Sequence, residues 1–227
     1  MNNIKITIII PALNEDRSIE NIITKCKRYS NEIIVTDGGS KDKTIHISQN
    51  LGARVINNIG RGKGLAIRHC INHINGDITV FIDADGSHDP HDIPKLIQPI
   101  KENKADHVSG SRLLGGSSEL HGGFDEFLRL AGSSFITACI NKRFNLKLSD
   151  SQNGFRAIRT SVLKKLDLKE NTFTIEQEMI VETAKKGFRI AEVPTHEYKR
   201  EFGKSHICLF KVWYKYLFSL IRLLFIK

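Results

Sequence analysis

The chain has 227 residues, of which 40% are hydrophobic and 26% charged, and this composition is ordinary for a globular protein with one full core. Its net charge of +9 is less ordinary, because residues 199–227 contain seven Lys and Arg side chains against a single Glu. Such a block of positive charge indicates an anionic partner, either a nucleic acid or a phospholipid surface.

Cysteine spacing and the lengths of apolar runs exclude several classes of protein. Cys26, Cys70, Cys139 and Cys208 show no Cys-x-x-Cys spacing, so neither a zinc site nor a disulfide framework is expected. The apolar run at the N-terminus is too short for a signal peptide, and no apolar span of about 18 residues is present to cross a bilayer. We therefore expect reduced thiols in a cytoplasmic compartment.

The first part of the chain alternates short apolar strands with amphipathic helices. The predicted strands are residues 4–10 (ended by Pro11), 32–36, 52–57 and 78–82, and the predicted helices between them are residues 18–29, 41–51 and 65–74. This alternation predicts a mostly parallel sheet with helices on both faces. Ligands of such sheets bind beyond the carboxyl ends of the strands, where residues 11–15, 37–40 and 83–85 all fall.

The second part continues the α/β pattern without a repeat or a linker. The predicted elements are a helix at 94–103, a strand at 105–110, a Gly- and Ser-rich loop at 115–123, a long amphipathic helix at 124–143, a turn and short strand at 150–157, a helix at 176–186 and a strand at 190–193. We expect one domain, residues 1–206, followed by a C-terminal helix, residues 207–227.

Two carboxylates follow the apolar strand at 78–82. Side chains at alternate positions of an extended chain point the same way, so Asp83 and Asp85 can converge on one ion. Oxygen ligands without cysteine suit Mg²⁺ or Mn²⁺, which commonly bridge a carboxylate to substrate phosphates. An isolated Asp-x-Asp pair is equally compatible with a solvated loop, so the assignment depends on the rest of the chain.

The C-terminal segment has the pattern of a basic amphipathic helix. Lys211, Lys215, Ser219 and Arg222 fall in one narrow stripe, and aromatic and aliphatic side chains fill most of the remaining surface. Helices of this type lie in the interface of a membrane. The alternative is a helix that packs on the domain or on a partner.

Eight motifs in chain order give the sequence a family resemblance. They are IIPALNE (9–15), TDGGSKDKT (36–44), GRGKGLA (60–66), DADGSHDP (83–90), GSR (110–112), DSQNGFRA (150–157), EQEM (176–179) and RxxGxS (200–205). The chain resembles the family 2 glycosyltransferases, and within them the polyprenyl or dolichyl phosphate sugar synthases, the group that contains dolichol-phosphate mannose synthase. The resemblance implies a single Rossmann-like GT-A domain.

The resemblance also implies a function and a set of site residues. The implied reaction is the metal-dependent, inverting transfer of a sugar from a UDP- or GDP-linked donor to a polyprenyl or dolichyl phosphate, for glycoconjugate or N-glycan assembly. The nucleotide sugar would contact Pro11, Glu15, Asp37, Lys63, Asp83, Ala84, Asp85 and Arg200. The metal, Mg²⁺ or Mn²⁺, would bind Asp83, Asp85 and Ser87, and the acceptor phosphate would bind Arg112, Arg129 and Ser133. Asp85, Arg112 and Arg129 would be the catalytic residues.

Three positions qualify this assignment. Gly38 stands where relatives commonly have a second Asp, so the donor nucleotide stays open, and His206 stands where a Lys often follows the Ser of the last motif. Lys63 either approaches the diphosphate or simply begins a helix.

The acceptor decides whether the reaction needs a base. A phosphate monoester is largely a dianion at neutral pH, so it needs positioning by cations and no strong base. A sugar hydroxyl acceptor would need a carboxylate base, for which Asp150 and Glu178 are the candidates.

Three functional hypotheses therefore remain. The first is a polyprenyl-phosphate sugar transferase bound peripherally to the cytoplasmic face of a membrane through residues 207–227. The second is a family 2 transferase that attacks a sugar hydroxyl of a polysaccharide or glycolipid. The third is a non-enzymatic membrane- or nucleic-acid-binding protein, which the acidic sheet edge and the lack of a nucleic-acid motif disfavour. The sequence leaves the oligomeric state open.

Overall fold

The computed structural model describes residues 4–57, 62–118, 124–200, 202 and 209–225, except for the side chains of 124–126 and 209–212. The strands are β1 (Ile6–Ala12), β2 (Glu32–Asp37), β3 (Arg54–Asn57), β4 (Ile78–Phe81), β5 (His107–Ser111), β6 (Arg156–Arg159) and β7 (Ile190–Pro194). The helices are α1 (Ile19–Cys26), α2 (Thr44–Asn50), α3 (Lys63–Cys70), α4 (Ile93–Lys101), α5 (Arg112–Gly115), α6 (Phe124–Phe144), α7 (Thr160–Leu163), α8 (Ile175–Lys185) and α9 (Leu209–Phe225).

The strands form one sheet in the order β3-β2-β1-β4-β6-β5-β7. Only β6 runs antiparallel to its neighbours within this sheet, so the predicted mostly parallel α/β fold is confirmed. Alternate residues of β1 enter two different cores, as expected for a strand covered on both faces. Ile8 and Ile10 pack with α1 and α4, whereas Ile9 packs with α3 and α8.

The prediction that Pro11 ends the first strand is wrong, since β1 continues through Pro11 to Ala12 and pairs with β2 there. On the other side, β4 pairs with β1 only as far as Ile9. The carbonyl of Ile9 accepts from Ile82 on the β4 side, whereas that of Ala12 accepts from Gly38 on the β2 side. The nitrogen of Pro11 therefore lies on the side where pairing with β4 has ended, and the missing N–H removes no ladder hydrogen bond.

Several helix boundaries also differ from the prediction. Helix α2 begins at Thr44, three residues late, because the Asp42 carboxylate accepts from the backbone and hydroxyl of Thr44 and fixes the preceding turn. The short helices α5 and α7 were not predicted, since four residues are too few to show a helical period. Residues 119–123 of the predicted Gly-rich loop lie outside the described part of the chain.

Helix α9 packs on the domain with one face and exposes an apolar face on the other. Its Leu220, Leu223 and Leu224 are buried in a core shared with α6 and α8. Two members of the predicted polar stripe border the domain, because Ser219 is buried and Arg222 pairs with acidic side chains near α8. Lys215 of the same stripe is exposed, and the side chain of Lys211 lies outside the described part of the chain. The exposed apolar side chains are Trp213, Tyr214, Leu217, Phe218, Ile221 and Phe225.

Among the described residues, no helix has the length and hydropathy needed to cross a bilayer. Within this part of the chain Cys26, Cys70 and Cys139 are free thiols, as expected. Cys208 lies outside it.

Replacing Leu223 by Ala should lower the free energy of unfolding by roughly 2–5 kcal/mol, because it leaves a cavity between α6, α8 and α9. The matched control is Phe218→Ala on the same helix, where a side chain that is 68% exposed should change stability by less than about 0.5 kcal/mol. Urea unfolding followed by circular dichroism measures both variants. Equal losses of unfolding free energy in the two variants would contradict the packing of α9 against α6 and α8.

Candidate active site

A cleft of about 580 Å³ lies along the carboxyl ends of β1, β2 and β4. This is the sheet edge at which the sequence predicted a ligand site. The predicted residues that line the cleft are Pro11, Glu15, Lys63, Asp83, Ala84, Asp85, Ser87, Arg112, Arg129 and Arg200. The fold therefore brings together residues that are separated by up to 189 positions in the sequence.

Lys63 is buried between two carboxylates at the floor of this cleft. Its ammonium lies 2.5 Å from Asp83 Oδ1 and 2.8 Å from Glu176 Oε1. Although burial alone would lower the pKa of Lys63, the two carboxylates raise it, so the ammonium stays charged. A β-carbon on Gly154 would come within 2.9 Å of this ammonium, so only glycine leaves room for the ion triad.

Asp85 lies one residue beyond Ala84 and is held in a fixed orientation. Its Oδ1 accepts hydrogen bonds from the backbone N–H and the hydroxyl of Ser87, at 3.0 and 2.6 Å. Its Oδ2 lies 3.0 Å from a guanidinium nitrogen of Arg200. The remaining residues of the predicted loop after Arg200, apart from Phe202, lie outside the described part of the chain.

Asp37 is placed differently from the other predicted donor-site residues. It is 1% exposed and is absent from the cleft lining, whereas Gly38 and Gly39 line the cleft. Its carboxylate accepts from the backbone N–H groups of Gly39 and Ser40 and from the Ser40 hydroxyl. Asp37 thus fixes the loop of Gly38, Gly39 and Ser40 at the edge of the cleft, and its direct contact with a nucleoside stays a prediction.

Arg112 is fixed by two carboxylates from distant parts of the chain. It makes a bidentate pair with Asp150, at 2.6 and 3.0 Å, and a third contact with Glu197 at 3.3 Å. Although burial would raise the pKa of Asp150, Arg112 holds it below its ordinary value. Asp150 is therefore a weak base in this arrangement.

A second, smaller cavity of about 40 Å³ lies beside the cleft, on the side of α6. Arg112, Arg129 and Ser133, the three residues predicted to bind the acceptor phosphate, all line it. Arg112, Arg129 and Glu197 also line the main cleft, so the two spaces share these three side chains. Arg129 and Ser133 lie one turn apart on α6, and this helical spacing places them on the same face.

Three comparisons with known proteins identify the family. The glycosyl transferase family 2 model matches residues 7–167. The chain is 31% identical over 203 residues to glycosyltransferase AglJ of Haloferax volcanii, covering 88% of this chain but only 65% of that protein. It is 31% identical over 240 residues to the UDP-N-acetylglucosamine–dolichyl-phosphate N-acetylglucosaminyltransferase of Methanococcus voltae, covering 93% and 94%. The chain belongs to glycosyltransferase family 2. It is an enzyme, and the non-enzymatic hypothesis is excluded.

The fold comparison agrees with the family. Glucosyl-3-phosphoglycerate synthase from Mycobacterium tuberculosis, crystallised with Mn²⁺, UDP and glucosyl-3-phosphoglycerate, matches with a TM-score of 0.79 at 23% identity. The match covers 99% of this chain and 81% of that chain. A likeness at this identity shows the fold alone, and it confirms the predicted GT-A architecture of this glycosyltransferase.

The side chains at the cleft of the glycosyltransferase fit a hard divalent cation. Asp83, Asp85 and Ser87 offer oxygen atoms only, which suits Mg²⁺ or Mn²⁺. Burial and the negative charge of Asp85 raise the pKa of nearby Glu15, a sign of crowded carboxylates that a cation would relieve. In the described ranges no three His, Cys, Asp or Glu side chains are grouped so as to hold a metal ion alone. A cation here would need further ligands from substrate phosphates.

Sequence reasoning missed some residues of the cleft. Glu176 pairs with Lys63, and Glu197 pairs with Arg112. Each is a single acidic residue without a local pattern, although Glu176 belongs to the EQEM motif. Lys215 and Tyr216 of α9 also line the cleft. His88 is a buried packing residue, stacked on Phe155 with ring centroids 5.2 Å apart, and burial lowers its pKa.

Replacing Asp150 by Asn should lower the free energy of unfolding at pH 7 by roughly 3 kcal/mol, because Arg112 loses a buried partner. The folded pKa of Asp150 is depressed, so its contribution to stability is present above the ordinary Asp pKa of about 3.9 and is lost as pH falls through the folded value. The difference between wild type and variant should therefore shrink below about pH 4. Urea titrations at several pH values measure it, and a difference independent of pH would contradict the ion pair.

Proposed function

We propose that this family 2 glycosyltransferase transfers a sugar from a nucleotide sugar to the phosphate of a polyprenyl or dolichyl lipid, with inversion and with Mg²⁺ or Mn²⁺ as cofactor. The observation that carries the proposal is the small cavity where Arg112, Arg129 and Ser133 come together, next to the cleft that holds Asp83 and Asp85. Asp150 and Glu197 also line this cavity, and both pair with Arg112. Two guanidinium groups and a hydroxyl are the groups that bind a phosphate in proteins.

The state of the carboxylates supports a phosphate acceptor over a hydroxyl acceptor. Asp150, one of two predicted bases for a hydroxyl, is engaged bidentately by Arg112. Glu178, the other, is 1% exposed and accepts from the backbone N–H groups of Lys169 and Glu170, away from the cleft lining. A phosphate dianion needs neither residue, because it attacks without losing a proton. Direct attack on the sugar inverts the anomeric centre.

The donor side of the cleft supplies the charges that a departing nucleotide diphosphate requires. Asp83, Asp85 and Ser87 would hold the metal ion, which when bound neutralises charge that develops on the leaving group. Arg200 lies 3.0 Å from Asp85 and contributes a second positive charge at the same place. Lys63 forms an ion pair with Asp83 and keeps this carboxylate in place. Its role is therefore to position a metal-binding residue, and not only to contact the diphosphate.

The donor nucleotide is proposed from the relatives. The Methanococcus voltae relative is named for UDP-N-acetylglucosamine and dolichyl phosphate, and this chain covers 94% of its length. UDP-sugars are therefore the first donors to test, with UDP-N-acetylglucosamine ahead of UDP-hexoses and GDP-sugars.

We also propose that the enzyme binds a membrane surface from which the lipid acceptor is taken. The exposed apolar face of α9, the six side chains given above, is one part of the proposed surface. Leu113 and Leu114 of α5 are 47% and 57% exposed, and Leu113 lines the phosphate cavity. A lipid chain leaving that cavity would meet apolar side chains first, as a membrane-embedded acceptor requires.

Replacing Arg129 by Met should lower kcat/KM for a short-chain polyprenyl phosphate roughly 10- to 100-fold, which corresponds to loss of a charge-assisted hydrogen bond. The matched control is Arg143→Met, the same change on an exposed position of the same helix, which should retain wild-type activity. Arg129 is preferred to Arg112 because removal of Arg112 would leave Asp150 buried without its partner.

The assay measures transfer of radiolabel from UDP- and GDP-sugars to the lipid phosphate, with Mn²⁺ and with EDTA. A labelled lipid product that EDTA abolishes and Arg129→Met reduces is the expected result. Metal-dependent donor hydrolysis without any lipid product would overturn the phosphate acceptor, and the hydroxyl-directed reaction would then replace it.

Replacing Phe218 by Ser should weaken binding to vesicles of phosphatidylcholine and phosphatidylglycerol roughly 10-fold, because a large apolar side chain no longer enters the lipid. The control is Ile4→Ser, which changes an exposed apolar side chain just before β1, at the end of that strand away from the cleft. This variant should bind vesicles like wild type. Vesicle sedimentation measures both. Equal binding by all three proteins would contradict the role of α9.

A further inference from the structure

Helix α9 forms part of the wall of the catalytic cleft. Lys215 and Tyr216 line the cleft together with Lys63 and Glu176 on the donor side and with Arg129 on the acceptor side. From its pattern the segment at 207–227 was predicted to be a C-terminal helix that lies in a membrane interface or packs on the domain. Lys215 and Tyr216, in the middle of this helix, share the cleft lining with Arg129, which also lines the phosphate cavity.

A buried glutamine fixes this part of α9 to the first turn of α8. The side-chain nitrogen of Gln177 donates to the Ser219 hydroxyl at 2.8 Å and to the Tyr216 carbonyl at 3.3 Å. Ser219 in turn donates to Glu170, which also pairs with Arg222. Gln177 directly follows Glu176, the partner of Lys63, so the position of Tyr216 is tied to the floor of the cleft.

The charges around Tyr216 come from both halves of the site. Burial and the negative charge of Glu176 raise the pKa of its phenol, while Lys63, Arg129 and Arg112 oppose this. These four charged groups face Tyr216 from α3, α8, α6 and α5. The phenol is therefore protonated at neutral pH, and it can donate a hydrogen bond to an anion in the cleft.

We propose that Tyr216 is a substrate-contacting residue of the transfer reaction, whose hydroxyl donates a hydrogen bond to the acceptor phosphate where it meets the donor sugar. The proposal rests on the proposed phosphate acceptor. A neutral donor suits this place, because it orients the attacking phosphate without adding a further positive charge that would weaken its nucleophilicity. Lys215, at the exposed rim of the cleft, is placed to attract the same phosphate during entry.

One helix thus carries two surfaces with different tasks. Tyr216 lies toward the cleft, whereas Tyr214 and Phe218 are 53% and 68% exposed on the proposed membrane face. Because both surfaces belong to one continuous helix, seating its apolar face in lipid would also set the height of the cleft above the bilayer.

The test compares Tyr216→Phe with Tyr29→Phe, which removes the same hydroxyl from a residue outside the cleft lining and outside α9. Tyr216→Phe should lower kcat/KM for a short-chain polyprenyl phosphate roughly 10-fold, the effect of losing one hydrogen bond to a charged group. It should leave the KM for the nucleotide sugar, metal-dependent donor hydrolysis and vesicle binding unchanged. Tyr29→Phe should match wild type in every assay.

Two results would overturn the proposal. One is an unchanged kcat/KM for the acceptor in Tyr216→Phe, and the other is an equal loss of transfer and of donor hydrolysis, which would indicate a structural role. If wild type forms no lipid product at all, the proposed function fails separately. Calorimetric binding of citronellyl phosphate in the presence of UDP and Mn²⁺ then tests Tyr216 alone, where weaker binding by Tyr216→Phe supports the contact and equal binding refutes it.

Discussion

The structure depends on how buried negative charge is balanced at one edge of the sheet. Asp83, Asp85 and Asp150 lie at or near this edge; Asp85 and Asp150 are buried and Asp83 is half-buried, and an isolated buried carboxylate would be strongly destabilising. Each is paired with a cation from another part of the chain, namely Lys63, Arg200 and Arg112. The Asp85–Arg200 pair connects the end of β4 to the segment after β7, and Lys63 also connects Asp83 to Glu176 of α8. Removal of either partner would therefore disturb the fold and the active site together.

This charge balance divides the cleft into regions suited to different parts of the substrates. Carboxylates and a hydroxyl line the part of the cleft proposed for the divalent cation and the diphosphate, and guanidinium groups line the side facing α6. Gly38 and Gly39, on the loop fixed by Asp37, line the part that would receive the base in the proposed function. In the proposed function, negative charge moves from the attacking phosphate to the departing diphosphate, and cations line both of these places.

Helix α9 shows how a single element can serve stability and function. Its leucines complete a core with α6 and α8, its polar side chains bond to α8, and its aromatic residues are divided between the cleft and the exposed face. In the proposed function, the same helix would align the lipid acceptor with the catalytic groups. Among the described residues, α9 alone would then be enough to position the cleft at the membrane.

The sequence by itself determined most of the strands and helices, the mostly parallel sheet and the sheet edge at which the predicted site residues lie, because alternating apolar patterns and polar residues after strands are local features. It also identified Arg112, Arg129 and Ser133, which line one cavity, through family motifs. Only the tertiary structure decided the partners: Lys63 with Glu176, Arg112 with Glu197, and Tyr216 at the cleft. These contacts join residues more than 80 positions apart, and a local pattern contains no information about which distant side chain will neutralise a buried charge. The extension of β1 through Pro11 has the same origin, since it depends on where the neighbouring strand β4 ends.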